Sequence, residues 1–327
     1  MSKFVDRINY GRAIGQTIDK PIGTFEFQEI AELNWEVMDC ASFGSVDGYI
    51  IPDPNRKYIA RKDTKQILGS VGKDYVSVQN DYIFGMIQDL QEFDSEMIVE
   101  TAGFLGKGET VFVQVRMDSL VLKIGDDVVN PLLLIVNGHI GNYNTTIFPS
   151  TLRVKCKNGL RMAMKNKEML SQGWKIRHTT NAFERLIQVK ESLKEIALEW
   201  ENSKSLIMRM ADTKMEDDAI LDLISATFGG PKQKKDKKEK KNSRGETLAE
   251  NRNARIFEIL ESPTSKVSGI EGSVWAGFNA ITEWLDHDSI LRSGNRLEAR
   301  FQNNLIAGPS LNYKEKAWIA ALEMAGV

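Results

Sequence analysis

The chain has 327 residues, 42% hydrophobic and 27% charged, which supports a packed core and excludes global disorder. That length suits one large domain or two ordinary ones. A formal net charge of -2 excludes a wholly basic surface, so a role with nucleic acid has to rest on local clusters of cations. Two cysteines, Cys40 and Cys156, exclude a disulfide framework and suit a reducing cytoplasm. The first residues carry no apolar stretch of signal-peptide length, and the longest pure apolar run, Leu132 to Val136, is far too short for a membrane span. A cytoplasmic protein is expected.

The elements follow in chain order. A helix is expected around Phe27 to Leu33, with Thr24 as its N-cap. Gly44 to Ile51 carries turn signals, and Tyr49-Ile50-Ile51 before Pro52 reads as a strand. Between 56 and 79 two short strands are expected, with Tyr75, Val76 and Val78 in the second run. Asn80-Asp81 caps a helix whose apolar positions are Ile83, Phe84, Ile87 and Leu90. From Met97 to Val136 the period is two. Val111, Val113 and Val115 alternate with Phe112, Gln114 and Arg116, and connections such as Gly125-Asp126-Asp127 are too short for crossover helices. The sheet is therefore an antiparallel meander. Gly103 to Gly108 is glycine-rich, but it joins two strands and reads as a hairpin turn rather than a phosphate loop.

Asn137 to Lys165 concentrates turn-forming and charged residues around a buried-looking strand. Thr145 to Val154 is the strand, and Pro149 places it at an edge or a bulge. Arg153, Lys155 and Lys157 point to one face while Val154 and Cys156 point inward. Asn158-Gly159 is a turn or helix start that offers backbone N–H groups, Arg161 lies just beyond it, and Leu160 to Leu170 has helix-forming composition. These cations form a phosphate-tracking surface. They serve a solvated edge strand equally well, since charges there prevent aggregation.

The second half is helical. Asn181 to Met210 is the clearest helix, with capping-box spacing at Asn181 and Glu184 and a broad apolar stripe from Phe183 to Trp200. That stripe leads to the expectation of a homo-oligomer. Asp217 to Phe228 is a shorter helix. Lys232 to Arg244 then carries eight Lys or Arg against two acids and reads as a linker; Lys235 and Lys238 are its candidate DNA contacts. Helices follow at Asn251 to Leu260, Ser273 to His287 and Tyr313 to Met324. Glu283 and His287 share a helix face, and with Asp286 and a more distant group such as His139 they are weak candidates for a divalent metal. Caps or ion pairs explain them as well. No Walker string, nucleophile elbow or triad context is present, so no cofactor is expected and an enzyme is disfavoured.

Tyr75 to Asn80 before a helix, Ala102-Gly103 before a glycine turn, Arg153-Val-Lys-Cys-Lys-Asn-Gly-Leu160, and Gly272-Ser-Val-Trp through Asp286-His287 together resemble the phage/plasmid-like proteins of domain-of-unknown-function family 932. The resemblance spans roughly residues 45 to 324. Two features depart from it: the basic insert 232–244, and Asn158-Gly159 where Asn-Thr is the family's pattern. It implies a phage- or plasmid-encoded protein in the host cytoplasm. A β-meander with long helices is also similar, at the level of fold alone, to Rad-fifty-two-like single-strand annealing proteins.

The expected architecture is α+β: an antiparallel β-meander sheet packed by long helices, with a core domain at 1–230, a basic flexible linker at 231–247 and a helical C-terminal region at 248–327. The leading functional expectation is a DNA-metabolism protein that binds single-stranded DNA, in line with strand annealing in recombination. Arg153, Lys155, Lys157, Asn158, Arg161, Lys235 and Lys238 would meet phosphates, and Tyr143 or Phe148 would stack on bases. The alternatives are a metal-dependent hydrolase acting on nucleic acid through Glu283, Asp286 and His287, and a non-enzymatic protein that counters host defence.

Overall fold

The computed structural model describes residues 13–18, 22–92, 94–153, 155, 159–161, 174–176, 182–216, 218–229, 244–290 and 296–327. Its strands are β1 (Gln16–Thr17), β2 (Val37–Val46), β3 (Tyr49–Arg61), β4 (Ile67–Gly72), β5 (Met97–Leu105), β6 (Thr110–Met117), β7 (Leu122–Ile124), β8 (Asp127–Gly138), β9 (Thr145–Arg153), β10 (Gly159–Arg161) and β11 (Trp174–Ile176). Its helices are α1 (Thr24–Ile30), α2 (Asn80–Gln91), α3 (Ala182–Asp212), α4 (Ala219–Phe228), α5 (Arg244–Leu260), α6 (Val274–Glu283), α7 (Arg296–Phe301) and α8 (Pro309–Met324). The class is α+β, as expected, with the helices gathered in the C-terminal part.

The main sheet runs β1-β5-β6-β8-β9-β10, with β7 also on β8 and β11 also on β9, and its pairings are antiparallel. The meander is present as the alternation requires. The two faces of β6 enter different cores. Val111, Val113 and Val115 pack with Phe27 of α1 and Ile83, Phe84, Ile87 and Leu90 of α2. Phe112 packs on the opposite side with Phe148, Phe301, Leu305 and Ile306. A third core joins Trp200, Ile207 and Met210 of α3 to Trp275, Phe278, Trp318 and the ends of β7 and β8.

Several local expectations change. The helix begins at Thr24, but the N-cap is Gly23, and the Thr24 hydroxyl donates to Gln91 Oε1 at 2.7 Å. Tyr75 to Val78 is not a strand; Tyr75 instead donates its hydroxyl to the Gly138 carbonyl at 2.8 Å. Gly159–Arg161 pairs with β9 as a strand and so does not open a helix; residues 162–173 lie outside the described residues. The stripe of α3 that suggested self-association is turned inward over its described half, where Ile196, Trp200, Ser203, Ile207 and Met210 recur at threes and fours and are all buried.

Strand β9 is not an edge. It pairs with β8 along one side, and β10 and β11 pair with its other side at Ser150–Leu152 and Thr145–Ile147. Phe148 and Pro149 fall in the gap between those two partners. A proline lacks an N–H, so it fits where the outer ladder is interrupted. All nine residues of β9 are consequently buried.

A buried ion pair between β8 and β9 carries the hydrogen bond that joins the sheet to the helical part. Arg153 Nε donates to Asp127 Oδ1 at 2.7 Å, with side chains 3% and 0% exposed. Trp275 Nε1 donates to the other oxygen, Oδ2, at 3.1 Å. Beside them the β7–β8 turn meets the loop before α6. Gly125 (φ 57°) and Gly269 (φ 96°) lie back to back, and a Cβ on Gly125 would come within 2.3 Å of the Ser268 carbonyl oxygen. Removing one partner of a buried pair strands the other charge. Asp127→Ala is therefore expected to lower the unfolding free energy by about 3–5 kcal/mol in a urea titration followed by circular dichroism.

Candidate nucleic-acid interface

The cations proposed from the sequence do not share one exposed face. Arg153 is buried and held by Asp127, so it is withdrawn from any phosphate-tracking surface. Lys155 is exposed in the turn after β9. Lys157, Asn158, Lys235 and Lys238 lie outside the described residues. Arg161 is placed in β10 opposite Ser150, and its side chain lies outside what is described. The stacking candidates differ as well: Phe148 is buried against Phe112 and Phe301, and Tyr143 is half-buried against the same cluster.

The acidic triad also takes a different role. Glu283 is fully buried, and its Oε2 accepts from the Thr264 hydroxyl at 2.8 Å. Asp286 is buried against Lys314, whose Nζ lies 2.6 Å from Oδ1. His139 belongs to the first core, edge-on to Trp35, with Nε2 3.1 Å from Asn80 Oδ1. Among the described residues no group of three or more His, Cys, Asp or Glu is arranged to hold a metal ion.

What the helices build instead is a groove of about 770 Å³. Helix α4 ends at Phe228, where Gly229 turns the chain with φ 84°. Helix α5 presents Leu248, Arg252 and Arg255 at i, i+4 and i+7, a single face. After Glu283 the helix widens into a π-turn, Trp284–Asp288, and a second π-turn, Gln302–Ile306, follows α7. Such widened turns re-aim side chains and are frequent at functional sites. Here they bring Trp284, Asp288 and Asn303 to the groove, and the first turns of α8 add Ser310 and Tyr313.

The π-turns are held from behind. The Asp286 carbonyl accepts from Arg300 Nη1 at 2.8 Å and from Asn304 Nδ2 at 3.3 Å. Arg300 Nη2 donates to the Ser289 carbonyl at 2.7 Å, and the Ser289 hydroxyl donates to the Leu285 carbonyl at 2.6 Å. Lys314 is 1% exposed and reaches Asp286 from α8.

Three aromatic rings line the groove. Phe228 meets Trp284 edge-on at 5.5 Å and Tyr313 at 5.1 Å between centroids. The Arg252 guanidinium lies over Phe228, 4.2 Å from the ring centroid. Arg255 is neutralised by Asp288 at 3.2 Å and by Glu258. Arg252 is not: its Nε and Nη2 donate to the neutral Asn253 Oδ1 at 3.1 and 3.0 Å, and no carboxylate pairs with it among the described residues. Desolvation lowers its pKa from the ordinary value, yet a guanidinium remains charged at neutral pH. A half-buried, uncompensated, stacked cation among aromatic rings suits an anion attached to a flat ring. Sequence patterning placed this helix at Asn251 to Leu260 by its apolar positions, which left Leu248 outside it, and passed over Arg252.

Residues 67–305 match the model of a family described as Domain of unknown function (DUF932), which is more than half of the chain. The chain belongs to this family. The DUF932 match takes in Asp127, Arg153, Trp275, Arg252 and Trp284, and ends before Tyr313 and Lys314. No curated protein and no solved structure matches the chain.

Because Glu283 and Asp286 already have partners, adding Mg²⁺, Mn²⁺ or Zn²⁺ is expected to leave the melting temperature unchanged. Lys314→Met, by contrast, leaves the Asp286 carboxylate buried without its cation and is expected to cost about 3–5 kcal/mol of stability. Differential scanning calorimetry checks both.

Proposed function

We propose that this DUF932 protein binds single-stranded DNA as a non-catalytic component of DNA metabolism, and that the groove between α4, α5 and the π-turns receives a nucleotide of the strand. The observation that carries this is Arg252, charged, half-buried and stacked on Phe228, with no carboxylate partner among the described residues. A phosphate would supply the missing negative charge, and Trp284 and Tyr313 would offer a base a ring to stack on. A duplex keeps its base faces stacked inside and cannot offer one, so single strands are preferred.

Two neighbouring features support a path for the strand beyond the groove. Strand β10, which follows exposed Lys155, packs against the Gln302–Ile306 turn that also lends Asn303 to the groove. The lysine-rich insert joins the helix that ends at Phe228 to the helix that holds Arg252, so Lys235 and Lys238 are tethered at both ends to groove walls. The resemblance to phage- and plasmid-borne proteins is consistent with a role in recombination, where a bound single strand is presented for annealing.

Fluorescence anisotropy with a labelled single strand and the matching duplex, over a salt series, tests the proposal. Binding to the single strand is expected, with affinity falling as salt rises. Arg252→Ala is expected to weaken it about tenfold and to lower the salt slope by about one. Tyr313→Leu is expected to lose about 1–3 kcal/mol of stacking with the salt slope unchanged. Absence of binding at low salt refutes the proposal.

A further inference from the structure

The groove carries one charged group that a phosphate does not explain. Among the described residues that line it, Asp288 is the one carboxylate. Arg255 Nε donates to its Oδ2 at 3.2 Å, and the Asp288 side chain is 20% exposed. Arg252 neighbours Arg255 on the same helix face. Toward a phosphate on Arg252 the carboxylate is a like charge and weakens binding. Toward the edge of a base it is an acceptor. A carboxylate offers about four acceptor positions, more than a single guanidinium N–H fills.

Several other polar side chains of the wall hold one another. Asn303 Nδ2 donates to Ser310 Oγ at 2.6 Å and to Asn304 Oδ1 at 3.1 Å. The Ser289 hydroxyl is given to the Leu285 carbonyl. Asp288 is placed differently. Trp284 and Asp288 begin and end one π-turn, and both reach the groove. A base stacked on Trp284 has its edge within reach of that carboxylate. Leu248 and Ile290, 51% and 80% exposed, add apolar surface for the face of a base.

We propose, resting on the single-strand reading above, that Asp288 makes the groove selective for guanine. The pairing edge of guanine presents two adjacent donors, N1–H and N2–H, which match the two oxygens of a carboxylate. Adenine and cytosine present an amino donor beside a ring-nitrogen acceptor. Thymine presents one donor between two carbonyls. Each of these three turns a lone pair toward the carboxylate, which repels it. Arginine is the other side chain that recognises guanine, through O6 and N7. Here Arg252 is engaged by the phosphate, and the pairing edge is left to Asp288.

Fluorescence anisotropy with short labelled oligothymidine strands, each carrying one other nucleotide at its centre, reads the selectivity. A single guanosine is expected to raise affinity about tenfold over the all-thymidine strand, within the range of one bidentate base contact. Adenosine, also a purine with a large stacking face, is expected to raise it less, and so is cytidine. Inosine, which lacks the N2 amino group, is expected to lose most of the guanosine advantage. The 7-deaza analogue of guanosine keeps the pairing edge without N7 and is expected to retain it. In Asp288→Asn the advantage is expected to vanish, because the amide turns a donor toward the two donors of guanine. Loss of the Arg255 tie alone would shift every strand together and keep the ratio. Equal affinity for the four bases, an advantage lost with the 7-deaza analogue, or one that survives in full with inosine or in Asp288→Asn each overturns the guanine proposal and leaves single-strand binding standing. Absence of binding to every strand overturns both.

Discussion

The carboxylate of Asp127 is the point on which the arrangement of sheet and helices depends. It stands at the first residue of β8, directly after the β7–β8 turn, and both oxygens are used. One takes the guanidinium of Arg153 from β9, the other the indole N–H of Trp275 from α6. Arg153 and Trp275 belong to two sequence stretches more than a hundred residues apart, and their shared partner fixes how the helical part sits on the sheet. An ion pair so deeply buried adds little net stability over apolar packing of the same shape, because desolvation offsets the Coulomb gain. Its geometric demand is stricter. Any other seating of α6 would leave the second oxygen of Asp127 and the buried indole N–H of Trp275 without each other, so alternative packings of α6 are penalised.

A second buried pair, Asp286 with Lys314, does the same for the groove. The π-turn at Trp284–Asp288 is an unfavourable backbone form unless its freed groups find partners. Arg300 and Asn304 supply donors to the Asp286 carbonyl, and Lys314 neutralises the side chain. With those contacts in place, Trp284 sits at the margin of the third core, edge-on to Phe228. The positioning of the aromatic rings thus depends on charges that never reach the groove.

The β-meander and the paired faces of β6 were legible because period two is written directly in Val111 to Arg116. Pro149 was legible as an interruption but not as an edge, since the partners that flank it, β10 and β11, are too short to announce themselves. The alternation of Arg153 with Val154 did not show which face is wet. That depended on an aspartate 26 residues earlier, which local pattern does not reveal. The groove was hidden for a related reason. Phe228, Arg252, Trp284 and Tyr313 come from four elements, and two of the turns that aim them are π-helical, for which no residue spacing is a signal. The stripe on α3 was legible as apolar, and over residues 196–210 Trp200 and Ile207 are taken up by a core that forms only once α6 and α8 are in place.

The family match and the folding unit do not coincide, and the buried charges show why. The matched stretch stops at residue 305, yet Asp286 within it depends on Lys314 beyond it. Trp318, also beyond it, packs edge-on against both Trp275 and Phe278. At the other end, Val37 and Ile59 precede residue 67 and are buried in the core with α2. A chain cut to the matched stretch would strand a carboxylate, open the side of α6 that steadies Asp127, and uncover part of the first core. The unit that folds is therefore larger than the unit that is recognised. The groove, which takes Tyr313 and Ser310 from α8, exists only in the larger one.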